Sequence, residues 1–373
     1  MSTNPRIYLD FNATAPLSPS VRAVITHVLA DHGNPSSIHA EGRRARDHVE
    51  RARDQVARLV GRPREQVVFT SGGTEGNTLG VLGLAAIAEQ RGLPRVVAAA
   101  DIDHPSLRGA VAALIARGWQ RRTIGVTEAG SLAPASLDGV GLVTLSAVNH
   151  ELGTLAGAEV VAAARAAGAL IHVDAVQAAG KLALPAIDAD ALVISAHKLG
   201  GPKGAGALAI NVDEGLPLVE AGHQERGRRP GTENVLGVVG LGAAAADVLD
   251  APPWAEIAAL GDRLEAGLSS IEDVRIHGAG APRIGGTVNA GFAGARGESI
   301  VIALDLAGIA TSTGAACTSG SVQPSQVLLA LGLSPDHARA AVRFSLGRTT
   351  TAAEIDAVIE RLPAIVARAR KHR

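Results

Sequence analysis

The sequence predicts an α/β protein in which a mostly parallel sheet is covered on both faces by helices, followed by a smaller α+β body. Two observations carry this. From about residue 43 to 250, short apolar runs lacking period-two alternation recur between helical stretches, the mark of strands buried on both faces. After Pro252-Pro253 the order changes to longer helices with isolated strands between them.

Taken in order, residues 43–60 form an amphipathic helix, with Ala45, Val49, Ala52, Val56, Leu59 and Val60 on one stripe. Its six arginines alternate with acids at 47, 50 and 54, so they are expected on a solvated, ion-paired face. Gln66–Thr70 reads as a strand, Ser71-Gly72-Gly73 as a turn, and Thr74 to about Gln90 as a helix. Val96–Ala99 precedes a helix over 105–117, and Gly141–Ser146 precedes an alanine-rich helix near 157–167. Leu170–Val173, Ala191–Ser195 and Gly206–Ile210 complete the apolar runs. Beyond residue 250, helices are expected from Trp254 to Ile271 and near 297–307, 322–331 and 351–369, with strands near 286–290 and at 341–345. Residues 1–13 are too short to stand alone and are expected beside this second body. The division is then a large domain over 14–250 and a small domain of 1–13 with 251–373.

Composition narrows the function. With 35 Lys+Arg against 36 Asp+Glu, the chain lacks the electrostatic footprint of a nucleic-acid or membrane-surface binder. Four Phe, two Trp and one Tyr offer few stacking platforms. A single cysteine excludes an intrachain disulfide and an all-cysteine metal site; no metal is expected, and a reducing, cytoplasmic setting is. The opening residues Met1–Arg6 lack a signal-peptide layout, and the apolar stretch Val235–Ala246 is too short to span a bilayer.

Three constellations sit at strand ends, where ligands bind in open α/β sheets. The first, Phe69-Thr70-Ser71-Gly72-Gly73-Thr74-Glu75, is either a tight turn capped by Thr74 or an anion cup of free helix N–H groups. The second, His172-Val173-Asp174-Ala175-Val176-Gln177, ends a strand on an acid that could hold a protonated ring nitrogen or cap the next segment. The third is Ser195-Ala196-His197-Lys198-Leu199-Gly200-Gly201-Pro202, where a lysine leaves an apolar strand; desolvation there makes an amine nucleophilic towards carbonyl carbon. Of the four lysines, Lys181 and Lys203 lack that setting and Lys371 lies in a basic tail. Together the three fit pyridoxal 5'-phosphate (PLP), which needs a Schiff-base lysine, an acid at its ring nitrogen and a phosphate cup.

With these motifs the sequence resembles the cysteine desulfurases of the nitrogen-fixation/iron–sulfur-cluster type, in the aminotransferase class V group of PLP enzymes. Tyr8–Thr14, Gly33–His39, Gly222–Arg229, Gly231–Asn234, Gly314–Gly320 and Val342–Arg348 carry the resemblance along nearly the whole chain. It implies PLP fold type I, with a mostly parallel seven-stranded sheet in the large domain and a small α+β C-terminal domain bearing the cysteine loop. It implies that Lys198 carries PLP, Asp174 pairs with the ring nitrogen, Gln177 reaches the ring hydroxyl, and His104 stacks on the ring and assists proton transfer. Gly73, Thr74, Ser195 and His197 would hold the phosphate, joined by Thr232 of the neighbouring subunit of a homodimer. Arg343 would clamp the substrate carboxylate.

Cys317 would take the sulfur of L-cysteine as a persulfide and release alanine. A lone cysteine is usually a small buried hydrophobe, but here it sits in a loop of small residues. The following Ser321–Ser325 resembles the branch with a longer cysteine loop, which delivers sulfur directly to acceptor or scaffold proteins, including one receiving an iron–sulfur cluster near Cys317. One departure stands out. The family usually has two adjacent asparagines, the second touching cofactor and substrate, whereas this chain reads Val148-Asn149-His150-Glu151-Leu152-Gly153, so either Asn149 or His150 takes that role. The nearest alternative is another reaction of the same fold, an aminotransferase or a selenocysteine lyase.

Overall fold

Burial on both faces makes the inner strands of the large sheet largely apolar, and the apolar runs are where those strands form. The computed structural model describes residues 6–133, 136–211, 221–250, 254–314, 317–318 and 321–371. The chain opens with a short strand β1 (Ile7–Tyr8) and helices α1 (Pro19–Val28) and α2 (Ala40–Val60). The sheet strands are β2 (Val67–Thr70), β3 (Val96–Ala100), β4 (Gln120–Val126), β5 (Leu132–Ala133), β6 (Leu142–Ser146), β7 (Leu170–Asp174), β8 (Ala191–Ser195) and β9 (Gly206–Ile210). Between them lie α3 (Gly73–Gln90), α4 (Pro105–Ala116) and α5 (Ala158–Ala166), and α6 (Val235–Asp250) follows.

The sheet order is β2-β9-β8-β7-β6-β3-β4-β5. Only β9 and the two-residue β5 run against the others. Seven of these strands make the expected sheet, and β5 adds a short eighth at the edge. Strand β4 escaped the apolar pattern because it lies near that edge with only Ile124 buried. On β6, Val143 and Leu145 pack beneath α2 and α6, while Leu142 packs on the opposite face with Leu84 of α3 and Leu107 of α4. The α2 stripe is buried as expected, each large aliphatic side chain contributing about 1.5–3 kcal/mol. Its polar face departs from expectation at Arg53, which is buried and forks onto the Glu225 carboxylate at 2.7 and 2.8 Å.

The C-terminal part of the chain contains α7 (Trp254–Ser269), β10 (Val274–His277), β11 (Thr287–Phe292), α8 (Gly297–Leu306) and β12 (Ile309–Ala310). After these come β13 (Cys317–Thr318), β14 (Ser321–Val322), α9 (Gln326–Ala330), α10 (Pro335–Arg339), β15 (Ala341–Ser345) and α11 (Ala352–Lys371). Helix α9 is shorter than the 322–331 expected, since β14 and Pro324 occupy its first part. An antiparallel sheet, β10-β11-β15, packs Val288, Phe292 and Phe344 against Leu264 and Leu362. The N-terminal segment joins this core: β1 pairs with β12, and Leu9 is buried in it. Among the described residues, no single helix is long and apolar enough to cross a membrane.

Candidate active site

Because β2, β3, β6, β7 and β8 point the same way, their C-terminal ends converge on one edge of the sheet, and a cavity of about 600 Å³ opens there. Gly73 and Thr74 reach it from the turn after β2, His104 from the turn after β3, and His150 from the turn after β6. Asp174 and Gln177 come from the end of β7, and Ser195, His197 and Lys198 from the end of β8. Arg343 of β15 closes the wall from the antiparallel sheet.

At one end of the cavity, α3 starts at Gly73, one residue before the sequence suggests. Its cap is Gly72 rather than Thr74, at φ 155° and ψ −176°, a conformation open essentially to glycine. No side chain caps this helix, so its first N–H groups are left for an anion. The Ser195 hydroxyl beside them is buried without a partner. Burial, helped by the charges of Lys198 and Lys203, lowers the His197 pKa to about 4, which leaves a neutral ring.

Asp174 sits deeper. Burial pushes its pKa up, while bonds from the Val176 N–H at 2.9 Å and Asn77 Nδ2 at 2.8 Å favour the carboxylate. A cationic N–H in the cavity would hold it ionised. His104 caps α4, its Nδ1 accepting from the Ser106 N–H at 3.1 Å, and its ring meets that of His150 edge-on at 5.1 Å. Burial lowers the pKa of both imidazoles, that of His150 far below the ordinary value. His150 Nδ1 is buried and unpartnered. Asn149, by contrast, is spent on the fold: its Nδ2 donates to the Ile102 carbonyl at 2.8 Å, and its Oδ1 accepts from the N–H groups of Glu151 and Leu152. Of the two residues the sequence left open, only His150 lines the cavity.

Lys198 Nζ donates to the carbonyls of Asn12 and of Ala13, the latter at 2.8 Å. Burial, then the Arg343 charge, lowers its pKa to about 8 against partial compensation by Asp10 and Asp174. Lys181 corrects an expectation. Its amine is also desolvated, with a pKa lowered to about 7, and donates to Asn12 Oδ1 and Gln177 Oε1 at 3.2 and 3.1 Å. It is not among the cavity-lining residues, so Lys198 alone presents an amine there.

Arg343 Nη2 pairs with Asp10 at 2.9 Å and Nη1 donates to the His150 carbonyl at 3.0 Å, while Nε is buried without a partner. A buried unpaired donor costs about 1–3 kcal/mol, which an incoming carboxylate would recover. Thr232 is exposed and lies outside this cavity. Cys317 pairs through its backbone with Val322, but its side chain lies outside the described residues. The residues on either side of that segment, Gly314 and Gln323, both line the cavity.

Asn12, Asn77 and Asp10 escaped sequence reasoning as site residues. The one signal was spacing: Asn77 lies one helical turn after Thr74, on the face that carries the anion cup. Asp103, the residue before His104, escaped it as well. Its carboxyl holds that turn through the N–H groups of Ala100 and Ser146, and burial raises its pKa to about 6.

The donor set fits PLP. The uncapped α3 terminus with the orphaned Ser195 hydroxyl would hold the phosphate, Asp174 the ring nitrogen, and Lys198 the aldehyde carbon.

Comparison with known proteins agrees. The aminotransferase class-V profile matches residues 7–358. A cysteine desulfurase of Enterobacter agglomerans is 42% identical over 378 residues, covering 98% of this chain and 93% of that one. An IscS-like cysteine desulfurase of Mycobacterium tuberculosis is 38% identical over 381 residues, covering 98% and 97%. Among solved structures, a NifS-like protein superposes with a TM-score of 0.87 at 28% identity, covering 97% of this chain and 99% of that one. Fold, cavity and sequence thus agree that the chain belongs to the aminotransferase class-V family of PLP-dependent enzymes. Its activity within that family is cysteine desulfuration with sulfur transfer.

Proposed function

We propose that the chain converts L-cysteine to L-alanine by moving the sulfur onto Cys317, then passes it to an acceptor or scaffold protein. The observation that supports this is one cavity uniting Lys198, Asp174 and Arg343 with both flanks of the Cys317 segment. PLP bound there supplies an electron sink for charge developing at the substrate Cα. Arg343 receives the substrate carboxylate as a planar fork, Nε being its unpartnered donor. Lys198, with a pKa near 8, takes and returns the Cα proton close to neutral pH. His104 and His150 stay neutral, and His150 rather than Asn149 supplies the donor beside the ring oxygen that Gln177 also serves.

The Cys317 thiolate attacks the substrate sulfur. A sulfur–sulfur bond forms as the carbon–sulfur bond breaks, the electron pair stays on carbon, and a proton completes alanine. The outer sulfur then leaves for iron–sulfur cluster assembly or thiolation, and one acceptor is a scaffold holding a cluster near Cys317. A homodimer completes the phosphate cup, since Thr232 is exposed on this chain and free to reach a second copy. A thiol that must return to its reduced form suits the cytoplasm.

The test is sulfide and alanine release from L-cysteine with reductant, comparing wild type and Cys317→Ser. Release should collapse in the variant while the cofactor absorbance stays intact. Equal release in both would remove Cys317 from the reaction and favour a lyase or aminotransferase.

A further inference from the structure

Glu151 ties together segments that the reaction uses separately. It is buried, and its Oε2 accepts from Ser325 Oγ at 2.6 Å. Ser325 in turn caps α9, accepting from the Leu328 N–H at 3.1 Å. Gly314, at φ +77°, presses against the same carboxyl, so that a Cβ there would stand 2.9 Å from Oε2. Gly314 precedes the Cys317 segment and Ser325 follows it, so one buried carboxyl touches both stems.

The stems are tied to the substrate clamp as well. Ser312 exchanges both backbone hydrogen bonds with Arg343, at 3.2 and 2.7 Å, and its hydroxyl accepts from the Gly314 N–H at 3.1 Å. Arg343 donates to the carbonyl of His150, the residue before Glu151, and Glu151 Oε1 lies 3.7 Å from the His150 ring. The path Arg343–His150–Glu151–Ser325 on one side and Arg343–Ser312–Gly314 on the other closes a ring around the cysteine segment's attachment points. A carboxyl is an expensive group to bury where only packing is needed, because its desolvation must be offset by hydrogen bonds or charge.

We propose that Glu151 is a positioning residue that fixes both stems of the Cys317 segment relative to a substrate carboxylate held by Arg343. This rests on the proposed role of Cys317. It deepens that role by naming the group that sets where the thiol stands.

The test uses the PLP-loaded enzyme with Glu151→Ala, Ser325→Ala, the double variant and Ser325→Thr. Cys317 is the only cysteine, so the rate of alkylation by iodoacetamide reports on that segment alone. Loss of either partner should speed alkylation about fivefold or more and lower kcat for alanine release about tenfold, with KM for L-cysteine within about twofold, since a small misplacement far from the bond-breaking atoms costs rate rather than binding. The double variant should be no worse than the poorer single one, and Ser325→Thr, which keeps the hydroxyl, should restore both values. Unchanged alkylation and kcat in the two alanine variants would overturn the proposal, as would additive losses or a Ser325→Thr enzyme as impaired as Ser325→Ala. If Glu151→Ala does not fold, the Ser325→Ala and Ser325→Thr pair decides. The underlying role of Cys317 fails separately, by full turnover in Cys317→Ser.

Discussion

Two lysine amines, those of Lys198 and Lys181, reach Asn12, and only Lys198 lines the cavity. Its pKa of about 8, against an ordinary 10.5, sets a pH dependence whose sign follows from which form reacts. The neutral amine is the nucleophile, so PLP uptake by the cofactor-free enzyme should quicken about tenfold per pH unit below pH 8 and level off above it. Uptake followed by absorbance across pH checks this, and a rate still climbing near the ordinary lysine value would contradict it. Lys198 was legible because its sequence setting, a lysine leaving an apolar strand into a Gly-Gly-Pro turn, marks it locally. Lys181 was not, since two of the groups around it, Asn12 and the Trp254 ring at 6.0 Å, come from remote parts of the chain and only Gln177 is near it in sequence. For the same reason the choice between Asn149 and His150 waited for the fold: both side chains can serve a ring oxygen, and only tertiary bonding shows that Asn149 is already used.

At the scale of elements, the cup depends on how closely β9 runs beside the turn after β2. A Cβ on Gly206 would stand 2.8 Å from Gly72 Cα and 2.8 Å from the Ile194 carbonyl, both backbone atoms. Gly206→Ala should therefore cost about 1–3 kcal/mol of stability by overpacking, and should weaken PLP retention by moving the α3 terminus. Thermal unfolding and cofactor titration measure the two effects, and an unchanged value in both would show that the turn can shift freely. The strands around this turn were legible from their apolar runs, whereas β4 was hidden by its polar, near-edge position. Arg53 was hidden too. Its charge suits a solvated face, but its spacing, one turn from Val49 and Val56, sets it at the edge of the buried stripe, and Glu225, held far along the chain at φ 47°, reaches back to pair with it.

Across the whole molecule, the core of the large sheet contains a titratable group with no place in the reaction. His172 lies in the sheet core with its Nδ1 3.0 Å from the Thr144 hydroxyl and its Nε2 unpartnered, and burial lowers its pKa to about 3. Its folded pKa lies below the ordinary 6.5, so the unfolded chain binds its proton more readily. The resulting stability is complete above about pH 6.5 and is lost as pH falls from there towards 3. His172→Gln should reduce the loss of stability between about pH 7 and pH 4, measured by urea unfolding at each; an equal loss in both proteins would place the acid sensitivity elsewhere. The alternation of strands and helices made the architecture legible at this scale. The N-terminal segment's place beside β12 and β15 follows from pairings hundreds of residues apart, which no local pattern encodes in detail.

Passage of sulfur through Cys317 is read from the mass of that residue. The PLP-loaded enzyme, given L-cysteine without reductant, is digested and the peptide containing Cys317 is weighed. Transfer through Cys317 predicts one added sulfur atom on that residue, with alanine released in equal amount. Alanine formed with no sulfur gained at Cys317 would contradict it.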